Sequence, residues 1–395
     1  MKCLLCKNKI KPFHVFQKKA LFNKPTALRN MSGTLPMALG YCGSCRHISS
    51  DVSASPKWPK AQEKIYKELY SSFTPGELSK TQKAYTKFLF KWLNAAVPRG
   101  KILEIGSHDG YFLSTFKEAG WVCKGVEPSP SALIAEKKYG VPTLHDFFTS
   151  KQFGQEKFDL IVAKHVVEHV SNPLEFTRQA ASLLRNNGYL YIEVPNSYIS
   201  LHDTYFPEFH VDHISYFTVP SLEKLVSMVG GLEIVGLEST WAHMKFPFLH
   251  ILLKKTAAKE RAKKDSRGPT YLLDNSISHI IRKFKSYYPV YLANLRNIQK
   301  KYKKIALWGA GSCGTQFAID GQFKKTQILV VDPNKSNQGK YLTVTGHLVH
   351  SPYVLRKNKI DTVLAASGWE DDVIRQIPHY AGRKIKIIKF FDLLK

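Results

Sequence analysis

The chain reads as an α/β protein built on a parallel sheet, and three observations carry that reading. Strand-like apolar runs alternate with helical segments from Lys101 to Pro195, a pattern that implies a parallel sheet covered on both faces. The first of these runs, KILEIG, passes straight into a glycine loop, EIGSHDG over 104–110. A second, shorter alternation with its own glycine loop, GAGSCG over 309–314, begins near Lys304.

In front of this α/β body stand four cysteines in two CxxC pairs, Cys3 and Cys6, then Cys42 and Cys45. A chain of 395 residues exceeds one ordinary core. The order expected is a zinc-binding module over 1–60, an α/β domain over 61–254, a basic helical connector over 255–304 and a smaller α/β domain over 305–395. Within the first module the residues between the cysteine pairs read as a loop-rich stretch, an inserted loop or hairpin, and SASPKWPK (53–60) reads as a linker. From Gln62 to Trp92 the apolar spacing predicts helices leading into the first strand.

Composition is that of a globular protein, 44% hydrophobic and 23% charged. No run reaches the ~18 apolar residues that a membrane span needs, and the N-terminus lacks a secretory apolar stretch. A cytoplasmic location is therefore expected. Thiols stay reduced there, so paired cysteines point to structural Zn2+ rather than to disulfides. With all four thiolates engaged the site is closed and leaves no open position for chemistry.

The net charge of +27 fits a polyanion or a small anionic substrate. Residues 254–304 carry 15 Lys/Arg against three acids. These basic positions interleave with Leu, Ile and Tyr at helical spacing, which favours a solvated helix face over a nucleic-acid patch.

The first glycine loop lies where backbone can approach a ligand, and Glu127 follows 21 residues after Gly106, where an acid can hold ribose hydroxyls. Glu104 and Asp109 flank the loop. They would repel a pyrophosphate and suit a cationic ligand such as a sulfonium. His165 and His169, four apart in KHVVEH, have the spacing of a helical metal pair.

The EIGSHDG loop, the VEPSP segment and FDLIVAKHVVEHVSNP together resemble the class I S-adenosylmethionine-dependent methyltransferases, with their Rossmann-like fold. That resemblance implies that Glu104, Gly106, Ser107, Asp109, Gly110 and Tyr111 hold the methionine part. It places Glu127 and Pro128 at the ribose, Asp146 and Phe147 at the adenine, and His165 near the methyl donor.

With the cysteine pairs and the segment VVDPNKSNQGKYL, the whole chain is similar to the zinc-containing sugar C-methyltransferases that act on nucleotide-linked keto-deoxysugars. This likeness implies His213 as general base with Asp212 beside it. Tyr70, or Tyr66, would cover the active site, and His210 and Tyr216 would contact substrate. The family's tyrosine ahead of the base is replaced here by Phe209 or His210. The second glycine loop fits a dinucleotide fingerprint with Asp332; the resemblance implies instead a C-terminal Rossmann-like domain without a cofactor. A nucleotide sugar is the expected partner, with nucleic acid the less favoured one.

Overall fold

The computed structural model describes residues 1–29, 33–56, 58–69, 80–240, 247–256, 273–358, 360–366 and 370–395. The chain divides into two compact units. One comprises Met1–Pro12, Gly40–Tyr198 and His213–Tyr271; the other comprises Phe13–Leu39, Ile199–Asp212 and Leu272–Lys395.

In the first unit seven strands form one sheet: β1 (Lys101–Ile105), β2 (Val122–Val126), β3 (Thr143–Leu144), β4 (Phe158–Lys164), β5 (Leu184–Pro195), β6 (Leu232–Thr240) and β7 (Phe248–Lys255). Their order is β6-β7-β5-β4-β1-β2-β3. Strands β1 to β5 are parallel, whereas β7 runs antiparallel to both its neighbours. From β1 the chain proceeds outward through β2 and β3, then returns to the other side of β1 as β4. The crevice outside the carboxyl ends of β1 and β4 is therefore a topological switch point, where open α/β sheets place ligands.

Both faces of this sheet are covered. Leu103, Ile105, Ile161, Ala163, Ile192 and Val194 point into one buried cluster. Ile102, Leu160, Val162 and Tyr191 point into the other, against Leu89, Leu93, Phe112 and Phe116. This period-2 division of each strand between two cores explains the near-continuous apolar runs seen in the sequence.

Cys3, Leu5, Ile10, Cys42 and Cys45 belong to the first of these clusters. The cysteine segment thus shares a core with the sheet instead of standing apart as 1–60. A segment that short buries too little apolar surface to support itself. The loop or hairpin expected between the cysteine pairs is largely strand, Pro12–Ala20 and Thr34–Cys42. The expected linker holds the start of a helix, Trp58–Lys64, and Trp58 is only 2% exposed.

The second unit carries a five-stranded parallel sheet: β8 (Ile305–Trp308), β9 (Ile328–Val331), β10 (Val349–His350), β11 (Thr362–Ala365) and β12 (Lys386–Ile388), in the order β10-β9-β8-β11-β12. The basic connector contains the helix Leu273–Lys301 of this unit. Ile277, Ile280, Phe284, Tyr291, Leu295 and Ile298 are buried along it. Its lysines occupy the other face, which is why a count of charge alone reads the segment as a spacer.

Candidate active site

A cavity of about 420 Å³ opens at the switch point of the first unit, within the range of small-ligand sites. Several lining residues sit at or just beyond a strand end: Gly106 after β1, Glu127 and Pro128 after β2, Phe147 after β3, Lys164 and His165 at the end of β4. Tyr66, on a π-helical turn over Ile65–Leu69, forms another wall, and Glu168, His169 and His213 complete it. Tyr66 packs edge-on against both Phe147 and His169, with ring centroids 6.1 and 5.9 Å apart. Such π turns recur at functional sites.

The glycine loop has the shape that its residues dictate. Gly106 and Gly110 adopt φ +76° and +77°, and a Cβ on either would lie 2.6 Å from Val166 or Ala135. The loop is clasped by Glu127, which accepts from the amides of His108 and Ser129, both at 2.9 Å. Asp109 is 5% exposed and accepts from the Tyr111 amide at 3.1 Å. Ser107 is buried against Gly125, whose Cβ would lie 2.5 Å from the Ser107 hydroxyl.

Glu104 is 2% exposed and paired with Lys164 at 3.1 Å. Burial holds its carboxyl above the usual range, against the opposing pull of Lys164. Lys164 in turn lies over the Phe112 ring at 3.3 Å.

His165 is the centre of a network that sequence reasoning missed. Its φ of +53° breaks the backbone after β4, so His165 and His169 do not share a helix and the helical metal pair is not formed. The ring instead lies between two buried carboxylates, with Nε2 2.9 Å from Glu193 and Nδ1 3.4 Å from Glu168. Glu193 also accepts from the hydroxyls of Tyr191, at 2.6 Å, and Tyr85, and meets His250 at 3.3 Å.

Partial desolvation acts to lower the His165 pKa, but the two carboxylates outweigh it and push it up to about 10. Burial likewise opposes ionisation of Glu193, yet His165 and His250 hold it well below the usual carboxylate range. The one available signal was an acid and a histidine inside otherwise apolar strands, YIEVP and FLHILL.

The charges around the cavity therefore do not cancel. Lys164 offsets Glu104, and a protonated His165 offsets one of Glu168 and Glu193. Glu127 remains, a carboxylate on the cavity wall that favours a cation over a phosphate.

The remaining expected residues are distributed as follows. His213 lines the cavity and packs on His169, ring centroids 4.7 Å apart. Tyr216 is buried in a short strand paired with Ile48, its ring 6.3 Å from that of His213. Asp146 is exposed and accepts from the Phe147 amide at 2.8 Å, outside the cavity wall. His210 lies in the second unit, its Nδ1 3.4 Å from Asn23 Nδ2, and Asp212 belongs to that unit too. Tyr70 lies outside the described residues.

The cysteines converge as expected. Their four sulfurs lie within 4.8 Å of one another, with Cys6 and Cys42 3.7 Å apart. A tetrahedral zinc with Zn–S of about 2.3 Å sets sulfurs about 3.8 Å apart, so the set fits that ion. The residue after each pair, Lys7 and Arg46, takes a left-handed φ of 62° and 52°; the two knuckles thus turn alike. Burial pushes the Cys3 thiol up to about 11 and raises Cys45 as well, which a bound cation would reverse.

In the second unit the amides of Ala310 and Asn334 donate to Asp332, both at 2.8 Å. This is the clasp of Glu127 repeated. A Cβ on Gly314 would lie 1.8 Å from the Gly309 carbonyl, so close packing of the helix Ser312–Asp320 onto β8 itself demands that glycine.

Residues 78–235 match the family model described as a methyltransferase domain. The chain carries a class I S-adenosylmethionine-dependent methyltransferase domain. It is similar to a C-methyltransferase, NovU, of Streptomyces niveus, 27% identical over 148 residues that cover 36% of this chain and 35% of that protein. It is also similar to the ubiquinone biosynthesis O-methyltransferase of Glaesserella parasuis serovar 5, 28% identical over 107 residues, 24% of this chain and 45% of that one. The chain thus spans under half the length of these curated relatives.

Among solved structures, the 1,6-didemethyltoxoflavin-N1-methyltransferase of Burkholderia thailandensis aligns with a TM-score of 0.41 at 17% identity, over 56% of this chain and 96% of that one. No helix among the described residues is long and apolar enough to cross a membrane.

Proposed function

We propose that this protein is an S-adenosylmethionine-dependent C-methyltransferase acting on a keto sugar attached to a nucleoside diphosphate. The observation that carries the reading is one cavity holding both Glu127, at the position of a ribose-binding acid, and His213. The negative field of that cavity suits a sulfonium. Gly106, Glu127, Pro128, Phe147 and His165 line the cofactor's side; Glu104, Ser107, Asp109, Gly110, Tyr111 and Asp146 shape or flank it from behind.

A carbon next to a ketone becomes nucleophilic only after losing its proton. His213 takes that proton, with Asp212 as its neighbour in sequence. The developing oxyanion needs a donor, for which Tyr66, on the cavity wall, is the candidate on this side. Tyr70, His210 and Tyr216 remain proposals for substrate contact. The similarity to a C-methyltransferase supports carbon as the acceptor atom.

Cys3, Cys6, Cys42 and Cys45 would hold structural Zn2+, anchoring the N-terminal segment to the sheet's core. The second unit would be the Rossmann-like C-terminal domain. A cytoplasmic setting suits the thiols.

Calorimetric titration with S-adenosylmethionine and S-adenosylhomocysteine tests the cofactor directly, and absence of binding to either sinks the reading. The +27 charge favours a second reading, an RNA methyltransferase. In that case substrate binding collapses steeply with salt, whereas a single nucleoside diphosphate gives a shallow slope.

A further inference from the structure

Glu168, His169 and His213 bring one carboxylate oxygen and two imidazole nitrogens within 4.8 Å of one another on the cavity wall. Glu168 is 1% exposed, and among the described residues neither of its oxygens has a hydrogen-bond partner. Among the described residues its charge is met through Oε1, by ion pairs with His165 at 3.4 Å and His169 at 4.0 Å. A buried carboxylate with one oxygen, Oε2, left without a partner among the described residues is an unusual residue to keep, and a cation is what such an oxygen accepts.

We propose that these three residues form a second metal site, for zinc or a similar divalent transition ion, and that the bound ion halts turnover by occupying His213. Two imidazoles and one carboxylate are a donor set of this class, whereas calcium and magnesium prefer oxygen ligands throughout. Three protein ligands leave a fourth position, which here faces the cavity and water.

The backbone already joins the pieces. Ile214 donates to the Glu168 carbonyl at 2.9 Å, tying the loop of His213 to the turn of Glu168 and His169. Gln62 Nε2 donates to the His169 carbonyl at 2.8 Å from the other side. A tetrahedral ion with bonds of about 2.0–2.1 Å draws its ligand atoms to about 3.4 Å apart. The side chains must therefore close by at most about 1.4 Å, within reach of imidazole rotation.

Binding follows from the geometry alone. The inhibitory consequence rests on the reading of His213 as base, since a nitrogen lone pair given to a metal cannot accept a proton.

The test is zinc titration of the full chain by calorimetry, comparing the wild type with Glu168→Gln and His169→Ala, each checked for folding by circular dichroism. The wild type is expected to take one more chelator-labile equivalent than either variant. Cobalt in its place should show the visible bands of a four-coordinate ion with nitrogen and oxygen ligands. Filling that equivalent should lower methyl transfer at least tenfold, restored by a chelator.

Equal stoichiometry in wild type and variants overturns the site; should Glu168→Gln not fold, His169→Ala decides alone. Zinc bound with turnover unchanged overturns the inhibition. His213→Asn turning over normally would refute the base and leave the metal site to be judged by the titration.

Discussion

Glu193 meets Nε2 of His165 at 2.9 Å, and the two are tied a second time by the His165 amide donating to the Glu193 carbonyl at 2.9 Å. An acid in the interior of the sheet thus fixes both the ring and the backbone of a residue on the cavity wall. With its ring 41% exposed, His165 stays in contact with water while its charge is held.

This pairing has a pH signature. The folded pKa of His165, about 10, lies above its ordinary value of 6.5, so its contribution to stability is complete below pH 6.5 and is lost as pH rises through 10. Glu193 is shifted the other way, and its contribution is lost only in acid. Urea unfolding between pH 6.5 and 10 should show wild-type stability falling with pH, and Glu193→Gln should flatten that slope. The same slope in both proteins would mean that the pair is not charged.

His213→Asn keeps a similar shape and removes the proposed base. Turnover is expected to fall by about 10²–10⁴-fold, with affinity for S-adenosylmethionine unchanged. Single-turnover kinetics beside calorimetry separates the two quantities.

Glu127 both clasps the glycine loop and faces the cavity. Glu127→Ala should raise the Kd for S-adenosylmethionine by about 10–100-fold, the loss of a charge-assisted hydrogen bond or two, and Glu127→Gln by less. An unchanged Kd in Glu127→Ala would remove this acid from the cofactor site.

Because the cysteines share a core with the sheet, removing a zinc ion held there should be felt beyond the N-terminus. Exhaustive chelation, or Cys45→Ser, is expected to lower stability by several kcal/mol, a part of the roughly 10 kcal/mol that structural zinc contributes in isolated finger peptides. Metal analysis of the purified wild type, with zinc retained after dialysis, checks the premise.

What was legible in the sequence was local. The strand-loop-helix at EIGSHDG and the CxxC knuckles are spelled out within a dozen residues, and the structure forms both. The strands Pro12–Ala20 and Thr34–Cys42 are hard to read as strands because residues such as Gln17 and Lys18 interrupt the apolar pattern on an exposed face. The Glu193 network was invisible for a different reason: its partners Tyr85 and His250 lie 108 and 57 residues away and meet only across the folded sheet. His165 and His169 misled because spacing alone cannot reveal a left-handed φ. The two units interleave three segments each, which a reading by contiguous blocks cannot express.

The most direct test of the central claim is mass spectrometry of reactions with S-adenosylmethionine and nucleoside diphosphate keto sugars, run in deuterated water. The account predicts a product carrying one new methyl group on the carbon beside the carbonyl, with a proton of that carbon lost to solvent. A methyl group on oxygen or nitrogen, with that carbon's protons fully retained, would contradict it.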